Sequence, residues 1–376
     1  MKKIFQPITI LFLISCTQTP KKIELYKAGF KTIQTVDKSR IYKPGTDTTD
    51  YLHYKPLDID IWYPATSSVS DSALLFRDIL GLFEKRANYY TASKAGDGLT
   101  KQVAQLFCDG FKCSDTSKLL NYTTQSFKNA AAVKTKFPLI IYLSAFNGMS
   151  YENFSLFESL ASKGFVVVSI SSIGRFPGDM TMKKEDLMEQ VNDAIASVNK
   201  LRDETNIDFN RIGIIGYSWG GLSGAIVANK IPNVACLISL DGSEFHHYGE
   251  AKEEDADFDG IKNSDDFKKM QLAIPYLRLE SQPQTQPQTQ PGKKDSVYNF
   301  SEKLYDEKLI YTIDSAKHED FGCLSLVVRE SGNCKGHLPF NTISKLVMSF
   351  FEEHLKNEPS FSTTVEQEID KTIKKK

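Results

Sequence analysis

RIGIIGYSWGGLSGAIVANK, residues 211–230, decides how the rest of the chain is read. Ile212, Ile214 and Ile215 form a short β-branched apolar run, the mark of a buried strand. Gly216-Tyr217-Ser218-Trp219-Gly220 follows, a serine between glycines. Beyond Gly221, the small and apolar residues Leu222, Ala225, Ile226 and Ala228 suit a helix packed on a sheet. Strand, G-x-S-x-G and helix in that order is the context of a nucleophile elbow. The glycines are needed because the turn is sharp and its neighbours crowd the backbone. Ser218 is expected at the strand's C-terminal end with its hydroxyl exposed. A helix N-terminus behind it favours negative charge developing nearby. The plain alternative is a glycine-rich connection holding a chance serine.

Outward from this stretch, strands and helices alternate. Residues 138–143, PLIIYL, read as a fully buried strand, and residues 144–148 as the loop after it. A helix over 151–163, a strand over 165–170 and a helix over 185–203 lead to the elbow. Strands follow over 234–240, 274–280 and 308–313, and an amphipathic helix over 341–354. Upstream, residues 57–63 alternate apolar and polar as an antiparallel strand does. The pattern predicts an α/β fold with a mostly parallel central sheet, helices on both faces and a site at the strands' C-terminal ends. The α/β domain is expected over 57–357, after a tether and N-terminal segment over 17–56. Residues 67–136 and 243–272 are insertions. The first has helical spacing over 72–90 and 99–107, and would form a cap beside the site or scaffold at the sheet edge. Residues 282–291, QPQTQPQTQP, are a low-complexity loop, and 358–376 a charged tail expected to fray.

The chain has 376 residues with a net charge of −1, which gives no reason to expect nucleic acid as a partner. Lys2 and Lys3 precede an apolar run over 4–14 that is too short to span a bilayer. It ends Leu13-Ile14-Ser15-Cys16. That resembles a bacterial lipoprotein signal over 1–16, with Cys16 lipidated and the mature chain anchored in the cell envelope by lipid alone. An ordinary secretory peptide is the other reading. Export permits disulfides, and the spacing suggests pairs 108–113 and 323–334, with Cys236 a buried thiol.

A serine hydroxyl needs a base, and the base needs a carboxylate to fix its tautomer. The expected chain order is serine, acid, histidine. Asp241 closes the strand after the elbow helix, and Glu280 the strand after that; Asp241 has the shorter reach and the tight Asp241-Gly242 turn. Of six histidines, His318 follows the last core strand, with His337 the runner-up. Two backbone N–H groups are needed for the oxyanion. They are expected from Trp219, next to the serine, and from Phe146 in the loop after PLIIYL.

The ordered set PLIIYLSAFNG, GFVVVSIS, GYSWGG, LISLDGS and HEDF resembles the α/β-hydrolases of the platelet-activating-factor acetylhydrolase type, near the dienelactone-hydrolase-like esterases. The resemblance covers roughly 57–64 and 137–350, with both insertions unmatched. It implies a serine esterase that releases short or modified acyl groups from a lipid, sugar or small-molecule ester and needs no cofactor for catalysis. In it Ser218, Asp241 and His318 are the triad, and the backbones of Phe146 and Trp219 form the oxyanion hole. A Ser144-Ala145 pair stands where many relatives carry His-Gly. A surface-anchored binding protein on a hydrolase scaffold, or a peptidase of the same fold, would carry much of the same sequence.

A second motif lies outside that set. Asp255, Asp257, Asp259, Gly260, the Ile261 carbonyl and Asp266 have the spacing of a structural calcium loop. The other reading is a solvated acidic loop, since residues 250–269 hold eight acids and four lysines.

Overall fold

The structure, a computed structural model, describes residues 25–66, 72–90, 98–111, 115–176, 178, 180–246, 248, 252–282, 300–331 and 339–376. Among these residues the strands are β1 Lys27–Ile41, β2 Tyr54–Ala65, β3 Ala73–Leu75, β4 Thr123–Lys128, β5 Phe137–Leu143, β6 Val166–Ser171, β7 Ile207–Tyr217, β8 Val234–Leu240, β9 Tyr276–Glu280, β10 Lys308–Ile313 and β11 Ile373–Lys375. The helices are α1 Phe76–Tyr90, α2 Leu99–Phe111, α3 Thr116–Leu120, α4 Phe154–Ser162, α5 Lys184–Lys200, α6 Trp219–Lys230, α7 Lys252–Lys262, α8 Asp265–Lys268, α9 Leu324–Ser331, α10 Pro339–Lys356 and α11 Phe361–Glu368. One sheet orders the strands β11-β10-β9-β8-β7-β5-β6-β2-β1-β4-β3. From β6 through β5, β7, β8 and β9 to β10 every pairing is parallel. Their C-terminal ends therefore share one edge.

Period-two alternation explains why these strands read as unbroken apolar runs. In β5, Ile140 and Tyr142 face one core, while Leu139, Ile141 and Leu143 face the other. β7 divides the same way, with Ile215 and Tyr217 on the first side and Ile212 and Ile214 on the second. Helices α4, α9 and α10 cover the first face, and α5, α6 and α7 the second. Among the described residues no helix is long and apolar enough to cross a membrane.

The first insertion is scaffold and rim together. Its strands β3 and β4 extend the sheet edge, and Phe76, Ile79 and Leu80 of α1 join the first core. Near the end of α1, buried Arg86 donates to Asp60 at 2.8 Å, Ser171 at 2.8 Å and Ser150 at 3.0 Å, and lies 3.3 Å from Asp58. Because Ser171 closes β6, this cluster pins α1 to the edge where the parallel strands end.

Several expectations change. The N-terminal segment holds a full sheet strand: β1 pairs with β2 along most of its length. The tail does not fray. Phe361 of α11 is buried, and β11 adds to the sheet edge beside β10. Cys323 is a buried free thiol, so the 323–334 pair does not form; Cys236 is the same. Burial pushes both thiols up. Cys108 is in a disulfide, and Cys113 and Cys334 lie outside the described residues. So do Cys16, His337 and most of the low-complexity loop.

The calcium loop is replaced by helix. Phe258 and Ile261, three residues apart, are both buried, and acidic residues fill the helix's first turns, where the dipole favours them. In helical geometry Asp257 points away from Asp255 and Asp259. Asp255 pairs with His246 at 2.6 Å, Asp259 with Lys262 at 2.9 Å and Asp266 with Lys230 at 2.6 Å. The Ile261 carbonyl accepts from Ser264 N–H at 3.0 Å and Ser264 Oγ at 2.6 Å. Among the described residues no group of three or more His, Cys, Asp or Glu side chains is placed to hold a metal ion.

Candidate active site

The elbow is built by close approach. Ser218 sits at φ 54°, ψ −120°, between the end of β7 and the start of α6. A Cβ on Gly216 would fall 2.2 Å from the Gly220 carbonyl oxygen, and one on Gly220 would fall 2.1 Å from the Leu143 carbonyl oxygen. Only glycine fits either place, and the second contact presses the elbow against the end of β5. Left-handed backbone at a non-glycine residue costs of order 1–3 kcal/mol and persists only where its surroundings enforce it. Here Ser218 N–H is held by the Leu240 carbonyl at 3.0 Å, and its own carbonyl accepts from Gly221 and Ser243, each at 2.9 Å.

Three sequence-selected side chains meet at this turn. Ser218 Oγ lies 2.9 Å from His318 Nε2, and His318 Nδ1 lies 2.8 Å from Asp241 Oδ2. Asp241 also accepts from Ser281 N–H at 2.9 Å and Ser281 Oγ at 3.0 Å. Burial alone would raise the Asp241 carboxyl. Hydrogen bonds from His318 and Ser281, with the charges of His318 and Arg278, outweigh it and hold the group below the usual aspartate value. An ionised carboxylate only accepts, so Nδ1 carries the proton in this contact. In the neutral ring Nε2 is then the acceptor, and Ser218 donates to it.

His318 opens a short 3-10 turn after β10, closed by buried Phe321. Its imidazole is half exposed and rests against the Tyr217 ring, with centroids 5.2 Å apart. The Tyr217 hydroxyl donates to the His318 carbonyl at 2.9 Å. Sequence reading missed Tyr217 and Ser281 as supports, because their partners are 101 and 40 residues away. The rival acid Glu280 is engaged elsewhere. It accepts from Arg278 at 2.8 Å and from Lys376 at 2.5 Å. Burial would raise its carboxyl, but these two cations hold it below the usual glutamate value.

Trp219 is the first residue of α6, where an N–H has no intrahelical acceptor. Across from it lies the loop after β5. Gln190 fixes that loop to α6: its amide donates to the Ser144 carbonyl at 3.0 Å and its oxygen accepts from Ser223 at 2.6 Å. The rings of Phe146 and Trp219 meet edge to face at 6.2 Å. Ala145 N–H is taken by Glu152, and among the described residues Phe146 N–H has no acceptor. Two unused N–H groups thus flank the serine turn.

A family model for the alpha/beta hydrolase fold matches residues 138–286, from β5 past the Asp241 turn. A solved structure of a ferulic acid esterase from Streptomyces cinnamoneus matches with a TM-score of 0.57 at 19% sequence identity, covering 92% of this chain and 94% of that one. No curated protein matches the chain. Sheet order, strand direction and elbow together show that the chain has the α/β-hydrolase fold.

Proposed function

We propose that the protein is a serine hydrolase that cleaves carboxylic esters through an acyl-serine intermediate. The observation that carries this reading is the continuous hydrogen-bonded line Ser218–His318–Asp241 on a strained strand-to-helix turn. His318 Nε2 takes the Ser218 proton as Oγ attacks the ester carbonyl. The negative charge that moves to the carbonyl oxygen is received by Trp219 and Phe146 N–H. The tetrahedral adduct collapses, His318 returns its proton to the leaving alcohol, and the acyl group remains on Oγ. A water then attacks the acyl carbon, giving a proton to His318 that passes to Ser218 as the acid leaves. Asp241 stabilises the imidazolium in both halves and stays ionised.

Substrates of this reading are short-acyl or acetyl esters of a lipid, sugar or small molecule, as the acetylhydrolase-like motifs imply. The ferulic acid esterase likeness adds aromatic acyl esters to the panel. The site residues need no cofactor for these steps. The N-terminal signal further supports a lipid-anchored protein of the bacterial cell envelope, attached through Cys16.

The test is turnover of p-nitrophenyl esters of graded chain length, with matched amides alongside. Ser218→Ala should abolish turnover and fluorophosphonate labelling while leaving the fold intact. Undiminished turnover in that variant, or labelling at another residue, defeats the serine mechanism. Faster cleavage of the amides would reassign the protein to peptide substrates.

A further inference from the structure

The loop that carries Phe146 has a buried carboxyl group built into it. Glu152 is 7% exposed. Its Oε1 accepts from Ala145 N–H at 2.9 Å and from the Tyr142 hydroxyl at 2.8 Å. The turn closes on itself through Gly148 N–H and the Ala145 carbonyl at 2.8 Å. It is tight: a Cβ on Gly148 would lie 2.5 Å from Glu152 Oε2 and 2.9 Å from Ala145 N and O. Next in sequence, buried Asn153 donates to the Tyr142 hydroxyl and to the Phe321 carbonyl, each at 2.9 Å. The same hydrogen-bonded chain therefore reaches the 3-10 turn that begins with His318.

Burying a carboxyl group without a fixed cation is costly. Among the described residues the titratable groups facing Glu152 are Tyr142 of β5, Tyr217 of β7, and His318 and Cys323 after β10. None carries a permanent positive charge. The feature that distinguishes this position is its hold on the peptide before Phe146. With Ala145 N–H bound to Glu152, the next N–H in the turn, that of Phe146, has no acceptor among the described residues.

We infer that Glu152 is a positioning residue for ester hydrolysis, its carboxyl group holding the 145–148 turn so that Phe146 N–H stays aimed at the oxyanion. This rests on the hydrolase reading above. Burial raises the carboxyl to about 7, against the pull of Ala145 N–H, Tyr142 and His318, so the clamp changes protonation near neutral pH. An oxyanion donor acts mainly in the transition state, so its misplacement lowers kcat more than it raises KM.

The experiment compares wild type, Glu152→Ala, Glu152→Gln and Gly148→Ala in ester turnover, fluorophosphonate labelling and inhibition by an alkyl boronic acid, which forms a tetrahedral adduct on serine. Glu152→Ala should lose about 100-fold in kcat with KM within about threefold, and boronate binding should weaken in step. Glutamine keeps an acceptor for both donors. Glu152→Gln should recover kcat to within about fivefold of wild type and remove the part of the pH dependence near 7 that the Glu152 carboxyl contributes. A kcat in Glu152→Ala within about twofold of wild type, or a glutamine variant as impaired as alanine, overturns the inference. If Glu152→Ala fails to fold, Gly148→Ala decides, because its methyl group displaces the same turn while the carboxyl group stays. A kcat loss at constant KM there supports the clamp, and wild-type kcat overturns it. Failure of the hydrolase reading looks different: the wild type itself would show neither turnover nor label on Ser218, and both claims would fall.

Discussion

Tyr217 holds His318 at two points, donating its hydroxyl to the His318 carbonyl at 2.9 Å and stacking its ring on the imidazole at 5.2 Å. The residue immediately before the serine thus fixes the backbone and the plane of the base. Tyr217→Phe removes the hydrogen bond and keeps the stack. A hydrogen bond of this kind is worth about 1 kcal/mol, so kcat/KM is expected to fall about fivefold. Tyr217→Ala loses the ring contact as well, and a drop of about 30- to 100-fold is expected. Steady-state kinetics on both variants, with melting curves to show they are folded, checks the order. If alanine were no worse than phenylalanine, the stack would play no part in placing the base.

The anchoring proposal is tested on the chain with its signal intact. Only a thiol accepts the lipid, so Cys16→Ser should abolish incorporation of a labelled fatty acid and move the protein out of the detergent phase. Persistence of the label in that variant would rule out Cys16. Ester turnover by the Cys16→Ser form should match wild type on a water-soluble ester, because lipid attachment is not part of the proposed chemistry at Ser218.

Stability should fall as pH rises through the weakly acidic range. Glu158 of α4 is buried, accepting from Gln125 N–H at 2.9 Å and Ser126 Oγ at 2.5 Å. Burial raises its carboxyl from 4.5 to about 7 against those hydrogen bonds. Between these values the folded chain binds more protons than the unfolded chain, so stability declines with rising pH. At ~1.36 kcal/mol per pH unit the full effect is about 3 kcal/mol. Glu152 acts in the same direction. His354, whose burial disfavours its charged form, acts in the opposite one. Urea unfolding at pH 5 and pH 8 should show Glu158→Gln gaining up to about 3 kcal/mol on wild type at the higher pH. Parallel pH dependence in the two proteins would mean that the carboxyl group titrates normally.

The parallel core was legible in the sequence because its inner strands, β5 and β6 above all, are buried on both faces. Strand β1 was not, since lysines and threonines break its alternation and its β2 partners are 13 to 38 residues away. The acidic insertion misled for an instructive reason. The D-x-D-x-D-G spacing counts only oxygens, whereas Phe258 and Ile261, three residues apart in the same stretch, carry the helix. Ser218, Asp241 and His318 could be singled out because each follows a strand in the expected order. Glu152, Tyr217 and Ser281 have no such mark: their roles come from contacts across the fold, which no local pattern encodes.

Which carboxylate serves the base is the last point to test, because Asp241 and Glu280 end neighbouring strands. The distances favour Asp241, which receives His318 Nδ1 at 2.8 Å and is steadied by Ser281, while Glu280 is occupied by Arg278 and Lys376. Asp241→Asn keeps the size and removes the charge. Its amide would leave the imidazole in the wrong tautomer, and a loss of about 10⁴ in kcat is expected, as for the same change in serine proteases. Glu280→Gln weakens an ion pair one strand away, and should cost less than about tenfold through a small shift of the Arg278 cluster. Arg278 also donates to the Gly242 carbonyl at 2.7 Å, so that loss should appear as a slightly looser Asp241 turn. Both variants are first checked for cooperative unfolding, since a buried carboxylate can support structure as well as chemistry. The reverse ranking would hand the acid's role to Glu280. Small and equal losses would show that His318 is held chiefly by Tyr217.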